Sequence, residues 1–468
     1  MLPYGYNCFY MVYASSKYEH PKLMEVENHP VVTVQLPIFN ERYVITRLID
    51  AVCSMKWPSG KLQIQILDDS SDDTSTLINE LVEELRLEGH EIQLLRREIR
   101  DGFKAGALQN ALKYSRGEYI AIFDADFVPP QNFLKTTIPL MEEDDNLGII
   151  QARWGHINRD YNSLTEAFAL GIDSHHIVEQ SGRSALGMPM SFNGSCGILR
   201  KKAIQDAGGW ASNTLSEDLD LSYRIQLRGW NAVYLRDPVV PGEVPPNINA
   251  YRSQQSRWAK GGIQCSRKLL RPIWRSKLFT IAQKIQATIH LSYYAINPII
   301  LMTLLLAVPL LALDAFSLVP FWTPYIVLFG LCAFSSFTMY FTSIKTQNLG
   351  LREKLPYLGL LSLIGYGLSA RCSLSVMNGF IEPGGFFERT PKYDIRSKRD
   401  EWRNKRYQPY SKASFIEIFL MFYAFVGMIF AYIHGIWSML FYLSVYFMGY
   451  LSIAYFMNIP KHPKTRIA

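Results

Sequence analysis

The run Tyr119-Ile120-Ala121-Ile122-Phe123-Asp124-Ala125-Asp126 decides how this chain is read. Five mostly apolar residues make a buried strand, and the strand ends on two carboxylates two positions apart. Pro129 and Pro130 follow almost at once, so the strand stops and Asp126 lies at its mouth. In open α/β sheets, ligands bind in the crevice beyond the carboxyl ends of the strands. Two hard oxygen donors there, Asp124 and Asp126, suit Mg²⁺ or Mn²⁺, which can in turn hold a diphosphate. A solvated turn can carry the same two letters, so the metal reading needs support from the rest of the chain.

Upstream, the same pattern recurs. Val31-Val32-Thr33-Val34-Gln35-Leu36 is a β-branched run closed by Pro37, and Asn40-Glu41 opens a helix with Val44, Leu48, Ile49, Val52 and Cys53 on one face. Gln63 to Leu67 is a second strand ending in Asp68-Asp69-Ser70-Ser71-Asp72-Asp73. A helix from Thr74 to Leu87 leads to a strand near Ile92–Leu95. Alternating strands and helices at this spacing predict a doubly wound parallel sheet. No Gly-x-Gly-x-x-Gly or Walker sequence follows any of these strands, which argues against a dinucleotide oxidoreductase or a P-loop ATPase. Lys104, in the Gly-containing stretch from Gly102 to Asn110, opens a helix and suits a phosphate contact or a plain solvated cap.

Downstream come a strand at Ile149–Arg153 and a helical stretch from Leu164 to Gln180 that holds His175 and His176. Adjacent histidines point apart on a helix, so they read as structural or acceptor-side residues and not as metal ligands. Three dense clusters follow. Phe192-Asn193-Gly194-Ser195-Cys196-Gly197 is a loop before a short strand. Ser216-Glu217-Asp218-Leu219-Asp220 places acids at a helix start, where the helix dipole and capping alone would also explain them. Gln254-Gln255-Ser256-Arg257-Trp258 lies on a polar helix with one large aromatic.

Composition limits the possible functions. The chain has 468 residues, 49% hydrophobic and 13% aromatic, with a net charge of +7. Its mean hydropathy is only +0.01. That average conceals a globular first half and a second half of long apolar runs flanked by basic clusters. Such clusters favour an anionic membrane surface or a phosphate ligand over a nucleic-acid track. Six scattered cysteines, with no Cys-x-x-Cys pair, indicate neither a zinc site nor a disulfide framework and suit a reducing cytoplasmic domain. No long apolar region follows a basic start, so no cleavable signal peptide is expected.

The ordered series Asp68-Asp69, Asp124-x-Asp126, Phe192-Asn193-Gly194, Glu217-Asp218 and Gln254-x-x-Arg257-Trp258 resembles the processive family-2 glycosyltransferases: the cellulose, chitin and hyaluronan synthases. It is most similar to the cellulose-synthase-like glucan and glucomannan synthases. The resemblance covers roughly residues 31 to 262 and, more loosely, the membrane half. It implies an α/β GT-A fold with a mixed, doubly wound sheet in a cytosolic domain, joined to an α-helical transmembrane domain, and inverting transfer from a nucleotide sugar. By the same resemblance, Pro37, Glu41, Asp68 and Asp69 contact the base and ribose side. Asp124 and Asp126 hold the diphosphate through Mg²⁺ or Mn²⁺, and Lys104 and Arg257 neutralise it as it leaves. Asp218 is the general base. Phe192, Asn193, Gly194, Glu217, Gln254 and Trp258 form the acceptor side, with Trp258 flooring the acceptor sugar.

From Gly262 the composition changes. Residues 263–286 read as an amphipathic interface helix, and 287–345 as a transmembrane hairpin. The run Leu355–Phe380, with Arg371 and several serines, has basic flanks. Were it a span, the Arg- and Lys-rich loop after it would lie outside, against the charge rule, so 346–412 reads as a cytosolic interfacial helix and loop. Within that loop Phe387, Thr390 and Lys392 resemble the Phe-x-Val-Thr-x-Lys gating loop of cellulose synthases, with Arg389 in place of Val. A plain basic surface loop is the alternative. Residues 413–468 form a second hairpin and a basic tail. Residues 1–29 read as an interfacial segment or the remnant of a span, and 30–262 as the transferase domain.

The expected protein is therefore integral to a plasma membrane or an endomembrane such as the Golgi, with its catalytic domain facing the cytoplasm. Its partners are a nucleotide-sugar donor (UDP-glucose or GDP-mannose), a growing β-linked polysaccharide and membrane lipids, with no nucleic acid. The alternatives are transfer of one sugar to a lipid, as in ceramide glucosyltransferases, and an inactive channel or scaffold. An intact set of carboxylates at strand mouths argues against the inactive form.

Overall fold

The computed structural model describes residues 1–22, 29–315, 323–387, 389–408 and 415–458. Outside them lie residues 23–28 of the N-terminal segment, residues 316–322, Glu388 of the gating-like loop, the end of the basic loop from 409 and the basic tail from 459.

The first half runs helix α1 (Leu2–Ser15), β1 (Val32–Ile38), α2 (Ile45–Cys53), β2 (Leu62–Asp68), α3 (Thr74–Leu87), β3 (Ile92–Leu95), α4 (Phe103–Ala111), β4 (Tyr119–Ile122) and α5 (Phe133–Glu143). It continues with β5 (Leu147–His156), α6 (Ser163–Ser174), a π-helical turn (His175–Gln180), α7 (Ser181–Ala185), β6 (Gly197–Arg200), α8 (Lys201–Asp206), α9 (Glu217–Leu227) and β7 (Asn231–Gly242). The seven strands lie in the order β3-β2-β1-β4-β6-β5-β7. β1 is parallel to β2 and β4, whereas β6 is antiparallel to both β4 and β5. The sheet is thus mixed, as a GT-A domain requires, and not parallel throughout as the strand–helix alternation of the first half suggests. Gly197 permits the close pairing of β6, since a Cβ there would lie 2.4 Å from the Ile150 carbonyl oxygen.

Alternate residues of β4, and Phe123 directly after it, enter two separate cores. Tyr119, Ala121 and Phe123 pack with Val34, Ile49, Ile66 and Phe133 on one face. Ile120 and Ile122 pack with Leu108, Leu199 and Ile225 on the other. A strand covered on both faces reads as a continuous apolar run, which is how the sequence presents it. The edge strand β7 was not anticipated. Its Arg236-Asp237-Pro238 and Pro241 interrupt the strand pattern, and an edge is where proline is tolerated.

The second half comprises α10 (Ile248–Arg275), α11 (Ile281–Leu291), α12 (Ile296–Ala312), α13 (Thr323–Thr346), α14 (Leu351–Ile381), α15 (Phe415–Ile433) and α16 (Trp437–Met457). The compositional shift at Gly262 is not an element boundary, because α10 passes through it as one 28-residue helix. The glycines there serve packing: a Cβ on Gly261 would lie 2.2 Å from the Ser216 hydroxyl. Among the described residues, Tyr293–Ala312, α14, α15 and α16 are long and apolar enough to cross a membrane by length and composition. The run expected to lie on the interface, Leu355–Phe380, falls within α14, an unbroken helix of 31 residues. Of its polar groups, Ser369 and Ser373 are buried, while the exposed Arg371 donates from Nε to Ser256 Oγ at 3.3 Å.

Candidate active site

The carboxyl ends of β1, β2 and β4 open on one cavity of about 530 Å³. At one end Pro37, Phe39, Glu41, Asp69 and Arg100 form its wall. The Arg100 guanidinium lies 3.4 Å from the centre of the Phe39 ring, while Arg97 pairs with Asp69. Arg97 and Arg100 were not singled out in the sequence, although the basic run Arg96-Arg97-Glu98-Ile99-Arg100 directly after β3 is a readable signal. Asp68 departs from its expected place, for it does not line the cavity. It is buried, taking hydrogen bonds from Ser70 N at 2.9 Å, Ser75 Oγ at 3.0 Å and Arg96 Nε at 2.8 Å, and so shapes the loop instead.

Asp124 and Asp126 reach the same cavity from the end of β4. Asp124 is the more exposed, with Oδ1 2.5 Å from Lys104 Nζ. Asp126 is nearly buried. Its Oδ2 accepts from Glu243 N at 2.9 Å and from Lys392 Nζ at 2.8 Å. Among the described residues no group of three or more His, Cys, Asp or Glu side chains gathers to hold a metal. Two carboxylates suffice for a hard divalent cation that takes its other ligands from water and a diphosphate, as Mg²⁺ commonly does. The donor set therefore fits Mg²⁺ or Mn²⁺ bound together with a nucleotide, and Asp124 has the accessible carboxylate such an ion needs.

Glu217 and Asp218 stand in the first turn of α9. Ser216 is the N-cap, but its side chain makes no capping bond. The acids serve the helix start in part, since Asp218 Oδ1 accepts from Leu219 N at 2.8 Å. Burial raises both carboxyls, Glu217 to about 7 and Asp218 above its usual range, although Lys104 and Arg257 pull the other way. Gly194, with φ of +80°, lies directly against Asp218, and a Cβ there would be 2.8 Å from Oδ2. Lys104 Nζ donates to Gly194 O at 2.9 Å, so one ammonium joins the Asp124 side to the Asp218 side. Burial disfavours this cation, but Asp124, Glu217 and Asp218 more than offset that and raise its pKa. Asn193, Gln254, Arg257 and Trp258 line the cavity beyond Asp218. Phe192 touches the cavity but lies within the core against Trp210, with ring centres 6.5 Å apart. Its role here is to support the loop.

The segment after α14 folds into this cavity. Phe387 lies under the Arg257 guanidinium at 4.5 Å, and Thr390 Oγ1 is 3.5 Å from Arg257 Nη2. Lys392 reaches Asp126 and also donates to Glu243 O at 3.1 Å. Arg389, the departure from the gating-loop pattern, pairs with Glu41 at 2.8 Å and lies 4.3 Å from the Tyr407 ring centre. Burial pushes Glu41 up to about 8 despite that partner. Glu243 and Arg47, linked at 2.9 Å, brace Asp126 from behind; neither stood out in the sequence. Away from the base end, the cavity continues past His175 to Tyr4 and Asn7 of α1, Tyr293, and Tyr340 of α13.

Residues 119–342 match the family described as Glycosyl transferase family group 2. The chain is 42% identical over 263 residues to glucomannan 4-beta-mannosyltransferase 1 of Oryza sativa subsp. japonica, covering 55% of this chain and 50% of that protein. It is 42% identical over 262 residues to glucomannan 4-beta-mannosyltransferase 2 of Arabidopsis thaliana, covering 55% and 49%. The chain thus spans about half the length of the curated relatives it matches. Among solved structures, a mannosyltransferase from Pyrobaculum calidifontis in complex with GDP-Man and Mn²⁺ superposes with a TM-score of 0.52 at 20% identity, over 74% of this chain and 95% of that one.

Proposed function

We propose that this chain, which carries a glycosyltransferase family 2 domain of GT-A fold, transfers a hexose from a nucleotide sugar to the non-reducing end of a growing β-linked polysaccharide. GDP-mannose is the first donor to test and UDP-glucose the second. The names of the relatives and the GDP-Man held by the Pyrobaculum enzyme favour the former. One observation carries the reading: a single cavity runs from a base pocket at Asp69 and Arg100, past Asp124 and Asp218, to residues of α1 and α13. An enzyme that lengthens a chain needs donor and acceptor ends joined in this way, with somewhere for the product to go.

In the reaction, Asp218 takes the proton from the acceptor hydroxyl as its oxygen attacks the anomeric carbon. The bond from that carbon to the diphosphate breaks on the opposite face, inverting the centre. Lys104 and Arg257 carry positive charge to where negative charge develops on the leaving diphosphate. A divalent cation held by Asp124 and Asp126 would add Lewis-acid charge there. Trp258 offers an indole face for the apolar side of the acceptor sugar. The catalytic domain faces the cytoplasm in this reading, and the helices of the second half lie in the bilayer.

The test is product size. Detergent-solubilised protein is incubated with Mn²⁺ or Mg²⁺ and each radiolabelled nucleotide sugar in turn, with Asp218→Asn as the blank. High-molecular-weight product cleaved by one linkage-specific hydrolase is the expected result. Label confined to an organic-extractable species bearing one sugar would replace this reading with lipid glycosylation.

A further inference from the structure

The two adjacent histidines have different surroundings. His176 is buried between Trp154 and Tyr234, with ring centres at 5.2 and 5.9 Å. His175 faces the cavity and keeps 31% of its side chain exposed. Both stand on the π-helical turn His175–Gln180, which interrupts the helix between α6 and α7. Such turns carry an extra residue at a cost in helix geometry and occur frequently at functional sites.

The wider turn aims His175, Glu179 and Gln180 at the loop that carries Asn193. His175 Nδ1 lies 2.9 Å from Glu179 Oε2, and Arg183 Nε donates to Glu179 Oε1 at 3.1 Å. Burial alone would raise the Glu179 carboxyl, but Arg183 and His175 hold it well below the usual range, so it is an anion that accepts. Asn193 Oδ1 accepts from Ser191 Oγ at 2.9 Å and from Gln180 Nε2 at 3.3 Å. That fixes the amide, leaving Nδ2 to face His175 Nε2 at 3.2 Å. The hydrogen bonds thus select one neutral tautomer: Nδ1–H donates to Glu179, and Nε2 accepts from Asn193. Asn193 adjoins Gly194, which lies against Asp218. Asn193 and Gly194 thus link the histidine to the base.

We infer that His175, held by Glu179 and the π-turn, is a positioning residue for the acceptor sugar. It fixes the Asn193 amide so that the second N–H of Nδ2 meets an acceptor hydroxyl, and its ring forms the chamber wall beside that sugar. The inference rests on the glycosyltransferase reading of the same cavity.

The test measures KM for a soluble β-1,4-linked mannooligosaccharide and, separately, KM for the nucleotide sugar, in full-length protein and two variants. His175→Phe keeps a ring but offers Asn193 no acceptor, and should raise acceptor KM about tenfold, the worth of one orienting hydrogen bond. Donor KM should stay within about twofold. His175→Gln restores an acceptor oxygen and should recover most of the loss. Unchanged acceptor KM in His175→Phe overturns the inference while leaving the transferase standing. Equal losses in donor and acceptor KM, or no recovery in His175→Gln, also overturn it, since either would mark a structural role. A wild type that transfers nothing from any donor sinks the transferase reading itself.

Discussion

At the scale of the residue, the site is a set of carboxylates whose neighbours decide their duties. Asp68 and Asp69 are adjacent in sequence, yet one shapes a loop and the other lines the cavity. Pattern alone could not separate them, because strand alternation shows which side each faces but not which partners await it. In the reaction proposed above, Asp218 is the base. Asp218→Asn should lower transfer by ~10²- to 10⁴-fold, the usual span for general-base help, while nucleotide affinity measured by titration holds. The pH dependence follows from burial. A base raised above the ordinary carboxylate range is inactive when protonated, so kcat/KM should fall as pH drops, with the acid limb lying above that range. Glu217, raised to about 7, is the neighbouring acid. Burial and then the Asp218 charge raise it, so Asp218→Asn should move the Glu217 titration to lower pH, as difference infrared spectroscopy of the carboxyl groups would show.

At the scale of the element, strands and their mouths were legible because β4, covered on both faces, has no alternation to obscure it. The pieces that escaped have identifiable causes. β7 is interrupted by prolines, and β6 reverses direction for reasons of tertiary pairing. The extent of α10 was hidden by a change of composition that marks a change of surroundings and not a change of structure. Two glycines make element-level claims that can be measured. Gly194 holds a left-handed conformation against Asp218, so Gly194→Ala costs about 1–2 kcal/mol for the backbone and displaces the base. Its transfer rate should fall more than its melting temperature implies. Gly367 of α14 faces Gly449 of α16, where a Cβ would lie 2.4 Å from the Gly449 carbonyl oxygen. Small residues let membrane helices approach this closely. Gly367→Leu should destabilise the helix pair by about 1–3 kcal/mol, read as a lower melting temperature in detergent.

At the scale of the whole molecule, the two halves complete each other. The sequence showed a transferase domain followed by apolar runs, and it showed the loop after α14 only as a resemblance broken at Arg389. In space that loop touches Glu41, Asp126 and Arg257. Lys392 is 266 residues from the carboxylate it meets, further along the chain than any local pattern can report. A fragment ending before Arg389 should therefore bind nucleotide more weakly than the full chain, a difference that calorimetric titration would detect. The distance also sets an order of events in the cell. A ribosome releases the whole sheet, with its acids in place, long before Lys392 is made, and α14 must be settled before that lysine can arrive. The Asp126 side of the cavity is then completed only in chains whose synthesis has passed α14, so a half-made copy holds its acids without the lysine that meets them.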